Sequence, residues 1–176
     1  HETQKINLDD TSERHEFDYA LTELEQGIAA AVIVESITRK NIKQLLALDF
    51  EVGLAVIAGE TVLFTSGNKE EIRVQPESLK LLKNADFIAH THVAADKQDG
   101  PSVFDLEHAV DAASEEYVST DKGVFSYNLE GVKNYGVPSD YNAFIRNLET
   151  VKTLNEGESA EARSYLNEFI TAMDTA

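Results

Sequence analysis

Phe87-Ile88-Ala89-His90-Thr91-His92, with Gly100-Pro101-Ser102-Val103-Phe104-Asp105 behind it, is the stretch that decides how this chain reads. An apolar run ends in two histidines, and positions i and i+2 of a strand share a face. His90 and His92 can therefore bring two imidazoles to one point. Pro101-Ser102-x-x-Asp105 reads as the first turn of a helix. Asp105, 13 residues after His92, can face back toward the pair from that turn. Two imidazoles and one carboxylate suit a catalytic zinc that keeps a fourth position for water. Part of the pattern has a plainer reading, with Ser102 as N-cap and Asp105 near the positive end of the helix dipole. Both can hold, because a cap fixes the residue that ligates. Asp96 and Asp99 are rival carboxylates on a less fixed loop.

Upstream, Phe50 to Ile57 reads as a buried strand. Glu51 stands at its head, where a charge must be paired, exposed or functional. Gly59-Glu60 reads as a turn, and Thr61 to Thr65 as the returning strand. Gly67-Asn68 turns the chain into Glu71 to Val74, and Pro76 opens a short helix to about Leu82. Earlier still, Phe17, Ala20, Leu21, Leu24 and Ile28 recur at helical spacing. Ala29 to Val34 fits either a continuing helix or a short strand. Thr38 caps a second helix, with Ile42, Leu45, Leu46 and Leu48 on its apolar side. Residues 1–13 read as a loose arm.

Downstream, Val93 to Gly100 is a polar loop, and Ser102 to about Ser114 a helix buried along Val103, Leu106, Ala109, Val110 and Ala113. Residues 116–120 and 124–127 form a hairpin across Asp121-Lys122-Gly123. Val132 to Tyr135 adds a strand. Tyr141, Phe144, Ile145, Leu148 and Val151 mark one amphipathic helix. Ala162, Tyr165, Leu166, Phe169, Ile170 and Met173 mark another, after a break at Glu156-Gly157-Glu158. The fold class expected is α/β (α+β): a mixed, mostly antiparallel sheet flanked by helices, with a C-terminal helical pair. The expected organisation is an arm (1–13), a metallohydrolase-like domain (14–137) and a helical extension packed on it (138–176).

Composition narrows the function. The 176 residues allow one domain with a real core. A net charge of -17, from 15 basic and 32 acidic residues, offers no basic face and argues against nucleic acid. No apolar run reaches the length of a membrane span. The absence of cysteine excludes disulfides and Cys-based zinc sites. The chain begins at His1 and its only methionine is Met173, so it reads as a processed or excised piece of a soluble protein, cytoplasmic or secreted.

With Glu51 included, the polar set resembles the JAMM/MPN (JAB) zinc metallopeptidase family. That family carries a Glu on a strand, then His-x-His, then a Ser-x-x-Asp helix start. The matching positions are Glu51, His90, His92, Ser102 and Asp105, and the order of elements matches over roughly residues 38 to 135. Val93 stands where the family usually has Pro, and nine residues separate His92 from Ser102, more than the family's usual spacing. An insertion at Asp96 to Asp99 absorbs the difference. The resemblance implies Zn2+ held by His90, His92 and Asp105, Glu51 as general base, and Ser102 as donor to a developing oxyanion. It implies hydrolysis of a peptide or isopeptide bond in a peptide or protein substrate, ubiquitin-like in some members. A catalytically silent binding module is the alternative, although such relatives usually lose ligands. The His-Thr-His also resembles the opening of PHP-type phosphoesterases, but those need more downstream ligands, and only His108 follows. His108 and His15 read as solvated helix residues. Glu35, on an expected helix flank, is a weaker rival to Glu51.

Overall fold

The structure is a computed structural model that describes residues 14–67, 72, 74, 76–82, 85–93, 116–120, 123–128, 131–134, 141–155 and 160–175. Ser102, Asp105, Asp96, Asp99, His108, the helix expected at 102–114 and the N-terminal arm lie outside the described residues. The elements in chain order are α1 (Phe17–Glu25), β1 (Ala31–Val34), α2 (Arg39–Leu46), β2 (Gly53–Ile57), β3 (Glu60–Phe64) and α3 (Pro76–Leu82). They continue as β4 (Phe87–Thr91), β5 (Glu116–Thr120), β6 (Gly123–Asn128), β7 (Gly131–Asn134), α4 (Tyr141–Leu154) and α5 (Ala160–Thr175).

Local chemistry sets these bounds. Thr38 closes a full capping box: its hydroxyl accepts from the Asn41 N–H, and the Asn41 side chain accepts from the Thr38 N–H. The helix expected to run on to Ile28 stops at Glu25. Gly27 takes a left-handed conformation (φ 71°), and the Ile28 N–H returns to the Glu23 carbonyl at 3.0 Å. Ile28 is consequently 64% exposed, and Ala31–Val34 resolves as a strand. The β2–β3 turn falls on Ala58-Gly59, both at positive φ as a tight hairpin of this twist requires, so Glu60 begins β3 and is not in the turn.

The seven strands of the described residues form one sheet in the order β1-β3-β2-β4-β5-β6-β7. Every pairing is antiparallel except β4 with β5, which is parallel. The mixed, mostly antiparallel sheet flanked by helices is thus the architecture of the molecule.

Strand alternation sends side chains to two cores. Val32, Val34, Leu54, Val56, Leu63, Phe87, Ala89 and Tyr117 meet α1, α2 and α4 on one face. Ala31, Ile33, Ala55, Ile57, Val62 and Phe64 meet α3 and α5 on the other. The two C-terminal helices both pack on the sheet, one on each face: α4 contributes Tyr141, Phe144 and Leu148 to the first, and α5 contributes Leu166, Phe169, Ile170 and Met173 to the second. Each such side chain contributes about 1.5–3 kcal/mol when fully buried. Both helices are therefore part of what holds the sheet. No helix of the described residues is long and apolar enough to cross a membrane.

Candidate metal centre

Side chains of Glu51, His90 and His92 converge where the chain enters β2 and leaves β4. The register explains why. β2 and β4 run antiparallel with Gly53 opposite His90. The Thr91 N–H bonds to the Val52 carbonyl at 2.9 Å, so the pairing continues past the strand ends. One further step sets Glu51 across from His92. Glu51 shares its parity with Ala55 and Ile57, and His90 and His92 share theirs with Ile88. All three therefore lie on the α3/α5 side of the sheet.

Main-chain anchors fix this corner. The Glu51 carbonyl accepts the Thr65 hydroxyl at 2.6 Å, and the Val52 N–H donates to Thr91 Oγ1 at 3.1 Å. The His92 N–H donates to the Ser119 carbonyl of β5 at 2.9 Å. Gly53, opposite His90, leaves room for the Phe64 ring, which lies where a Cβ would project. Glu51 is 3% exposed and His92 2%, while His90 is half-buried and opens the cluster to solvent.

The donor geometry fits a metal. His90 Nε2 and His92 Nε2 stand 3.2 Å apart. Two imidazole nitrogens on a tetrahedral zinc, at about 2.0–2.1 Å each, lie roughly 3.3–3.4 Å from one another. One ligand atom from each of Glu51, His90 and His92 falls within 4.8 Å of the others. Two bare ring nitrogens this close repel, so either a proton or a cation belongs between them. A cation also offsets the cost of burying the Glu51 charge.

Two residues that the sequence reading passed over stand behind this cluster. The Tyr127 hydroxyl of β6 lies 3.5 Å from His90 Nδ1 and donates to Glu116 Oε1 of β5 at 3.3 Å. Both are buried, Tyr127 at 1% exposure and Glu116 at 3%. Glu116 had a signal available: it heads a buried strand, as Glu51 does. Tyr127 had none, since a strand tyrosine is ordinary.

Other polar residues have structural work. Glu60 accepts Arg14 through both oxygens, at 2.7 and 3.0 Å, and Arg163 at 2.9 Å. Burial pushes its carboxyl up, but hydrogen bonds and charge from the two guanidinium groups outweigh this and hold it below the usual carboxylate range. Glu35 is exposed beyond β1, not on a helix flank, and its carbonyl accepts Lys152 Nζ at 2.9 Å. His15 stacks on Tyr19 at 4.3 Å, and its main chain bridges to β1.

Comparison with protein-family models, characterised proteins and solved structures finds no match to this chain.

Proposed function

We propose that this chain is a zinc-dependent amide hydrolase of the JAMM/MPN kind, cutting a peptide or isopeptide bond in a protein or peptide substrate. The observation that carries the reading is the convergence of two imidazole nitrogens at 3.2 Å beside a buried carboxylate from a neighbouring strand. His90 and His92 supply two ligands. Asp105 completes the set from the sequence pattern, leaving Glu51 for proton transfer.

Bound zinc supplies Lewis acidity, which acidifies water and polarises a carbonyl. The rest is the work of this chain's own residues. Glu51 takes a proton from the attacking water as its oxygen bonds to the carbonyl carbon. As the C–N bond breaks, Glu51 passes that proton to the leaving nitrogen. Burial keeps the Glu51 carboxylate from being solvated away from that task. The Thr65 hydroxyl, donating to its carbonyl, anchors its backbone, and the β2–β4 pairing sets it across from His92. Ser102 donates a hydrogen bond to the developing oxyanion in this scheme. The net charge of -17 favours a basic or neutral partner over nucleic acid.

Elemental analysis of the purified protein, beside His92→Ala, tests the centre. About one zinc per chain, lost in the variant, is expected. No zinc after reconstitution overturns the reading and leaves a silent binding module. Peptide and isopeptide-linked fluorogenic substrates then test turnover.

A further inference from the structure

The geometry points to Tyr127 and Glu116 as positioning residues that set the tautomer of His90, and through it the affinity of the centre for its metal. This inference rests on the metal-binding reading above.

The argument is one of proton counting. A tyrosine hydroxyl has a single proton. Tyr127 gives it to Glu116 Oε1. Toward His90 Nδ1, at 3.5 Å, the hydroxyl oxygen can then only accept. The proton of neutral His90 is accordingly held on Nδ1, and Nε2 is the nitrogen that carries the lone pair. That nitrogen is the one 3.2 Å from His92 Nε2. The order carboxylate, tyrosine hydroxyl, imidazole thus points a lone pair at the place where the ligand atoms of Glu51, His90 and His92 meet. Metal-bound histidines commonly donate their other N–H to a carboxylate or carbonyl, which fixes the ring and raises its basicity. Here a tyrosine is interposed.

The fold makes the arrangement a property of the sheet. β5 runs parallel to β4 with Val118 beside His90. β5 and β6 pair Glu116 directly with Tyr127. The two residues share one face by that pairing, on the side that carries His90. Both are nearly sealed from water, so neither is a solvated surface contact. A carboxylate buried to 3% exposure is costly unless it is hydrogen-bonded, and orienting a metal ligand accounts for keeping it.

Tyr127→Phe removes the hydroxyl and little else, and Glu116→Gln keeps an acceptor oxygen while removing the charge. Two readouts apply to each, both independent of turnover. One is zinc affinity by competition with a chromophoric chelator. The other is the imidazole tautomer by long-range proton–nitrogen NMR on zinc-stripped protein near pH 8, above the usual imidazole range. Wild type is expected to show His90 protonated on Nδ1. Tyr127→Phe is expected to shift it toward Nε2–H and weaken zinc on the order of 10- to 100-fold. Glu116→Gln is expected to keep the tautomer and weaken zinc less. Tight zinc in wild type with equal affinity and unchanged tautomer in Tyr127→Phe overturns the inference while sparing the metal reading. No zinc in wild type, with a tautomer that still shifts in Tyr127→Phe, overturns the metal reading and supports the relay. Should Tyr127→Phe not fold, an altered tautomer in folded Glu116→Gln counts against the relay as drawn.

Discussion

Glu51 and Glu60 lie toward opposite ends of the β2–β3 hairpin, and they are buried almost equally, at 3% and 4% exposure. Their company differs. Glu60 is gripped by two guanidinium groups, from the N-terminal segment and from α5, with cations that never deprotonate. Glu51 converges with two imidazoles, groups that bind metals and exchange protons near neutral pH. Burial alone therefore does not say what a carboxylate is for; the permanence of its partner's charge does. Glu60 is a clamp that ties three parts of the chain together. Glu51, on the proposed reading, is placed for chemistry.

The widest separation between the two is expected in turnover. Glu51→Gln should lower amide hydrolysis by roughly 10²- to 10⁴-fold, about 3–5 kcal/mol of transition-state stabilisation, while zinc content holds. Steady-state rates beside elemental analysis check this, and retained hydrolysis would remove the role given to Glu51. Next comes volume at the Glu51 end. Gly53→Ala drives a Cβ against the Phe64 ring and should cost about 1–3 kcal/mol in chemical denaturation.

At the other end, Glu60→Ala should leave zinc and turnover alone yet cost about 1–2 kcal/mol. The figure sits below that for a fully buried pair because Arg14 and Arg163 side chains are 62% and 39% exposed and can return to water. Its pH signature has a defined sign. The folded-state value of Glu60 is lowered, so its contribution is present above the ordinary carboxylate range and fades as pH falls through the folded value. Denaturation midpoints between about pH 6 and pH 3 should converge for wild type and Glu60→Gln. The smallest effect belongs to Arg14→Ala, below about 1 kcal/mol, because its exposed side chain shares Glu60 with Arg163. A loss as large as that of Glu60→Ala would mean that the clamp depends on Arg14 alone.

Much of this was legible in the sequence where local chemistry decides. The apolar run up to Ile57, the Thr38 cap and the Pro76 start each act over a few residues, and each gave its expected element, although the strand begins at Gly53 and not at Phe50. The His90 and His92 pair was legible for the same reason, since period 2 alone puts both on one face. Glu51 needed a longer step: an acid heading a buried strand flags a site without saying which. What stayed hidden depends on pairing between distant segments. Glu60 read as a turn residue because Gly59 beside it masks the strand start, and the arginines that meet it lie 46 and 103 positions away. Tyr127 fell within the expected hairpin, but its place beside His90 depends on the parallel pairing of β4 with β5, which no spacing announces. Ile28 misled because its apolar character outweighed the helix-ending glycine before it.

The parallel pairing of β4 with β5 has a kinetic consequence. The β2–β3 and β5–β6 hairpins each close across two residues, which is fast and costs little chain entropy. Joining β4 to β5 requires closing over the 24 residues from 92 to 115, so non-local order must be reached before it is rewarded. The seam between those strands is thus the expected late event in folding. It is also the line across which His90 meets Tyr127 and the His92 N–H meets the Ser119 carbonyl. Zinc affinity should then mature last in refolding, after most backbone protection, and a pulse of hydrogen exchange timed against zinc uptake would separate the two clocks.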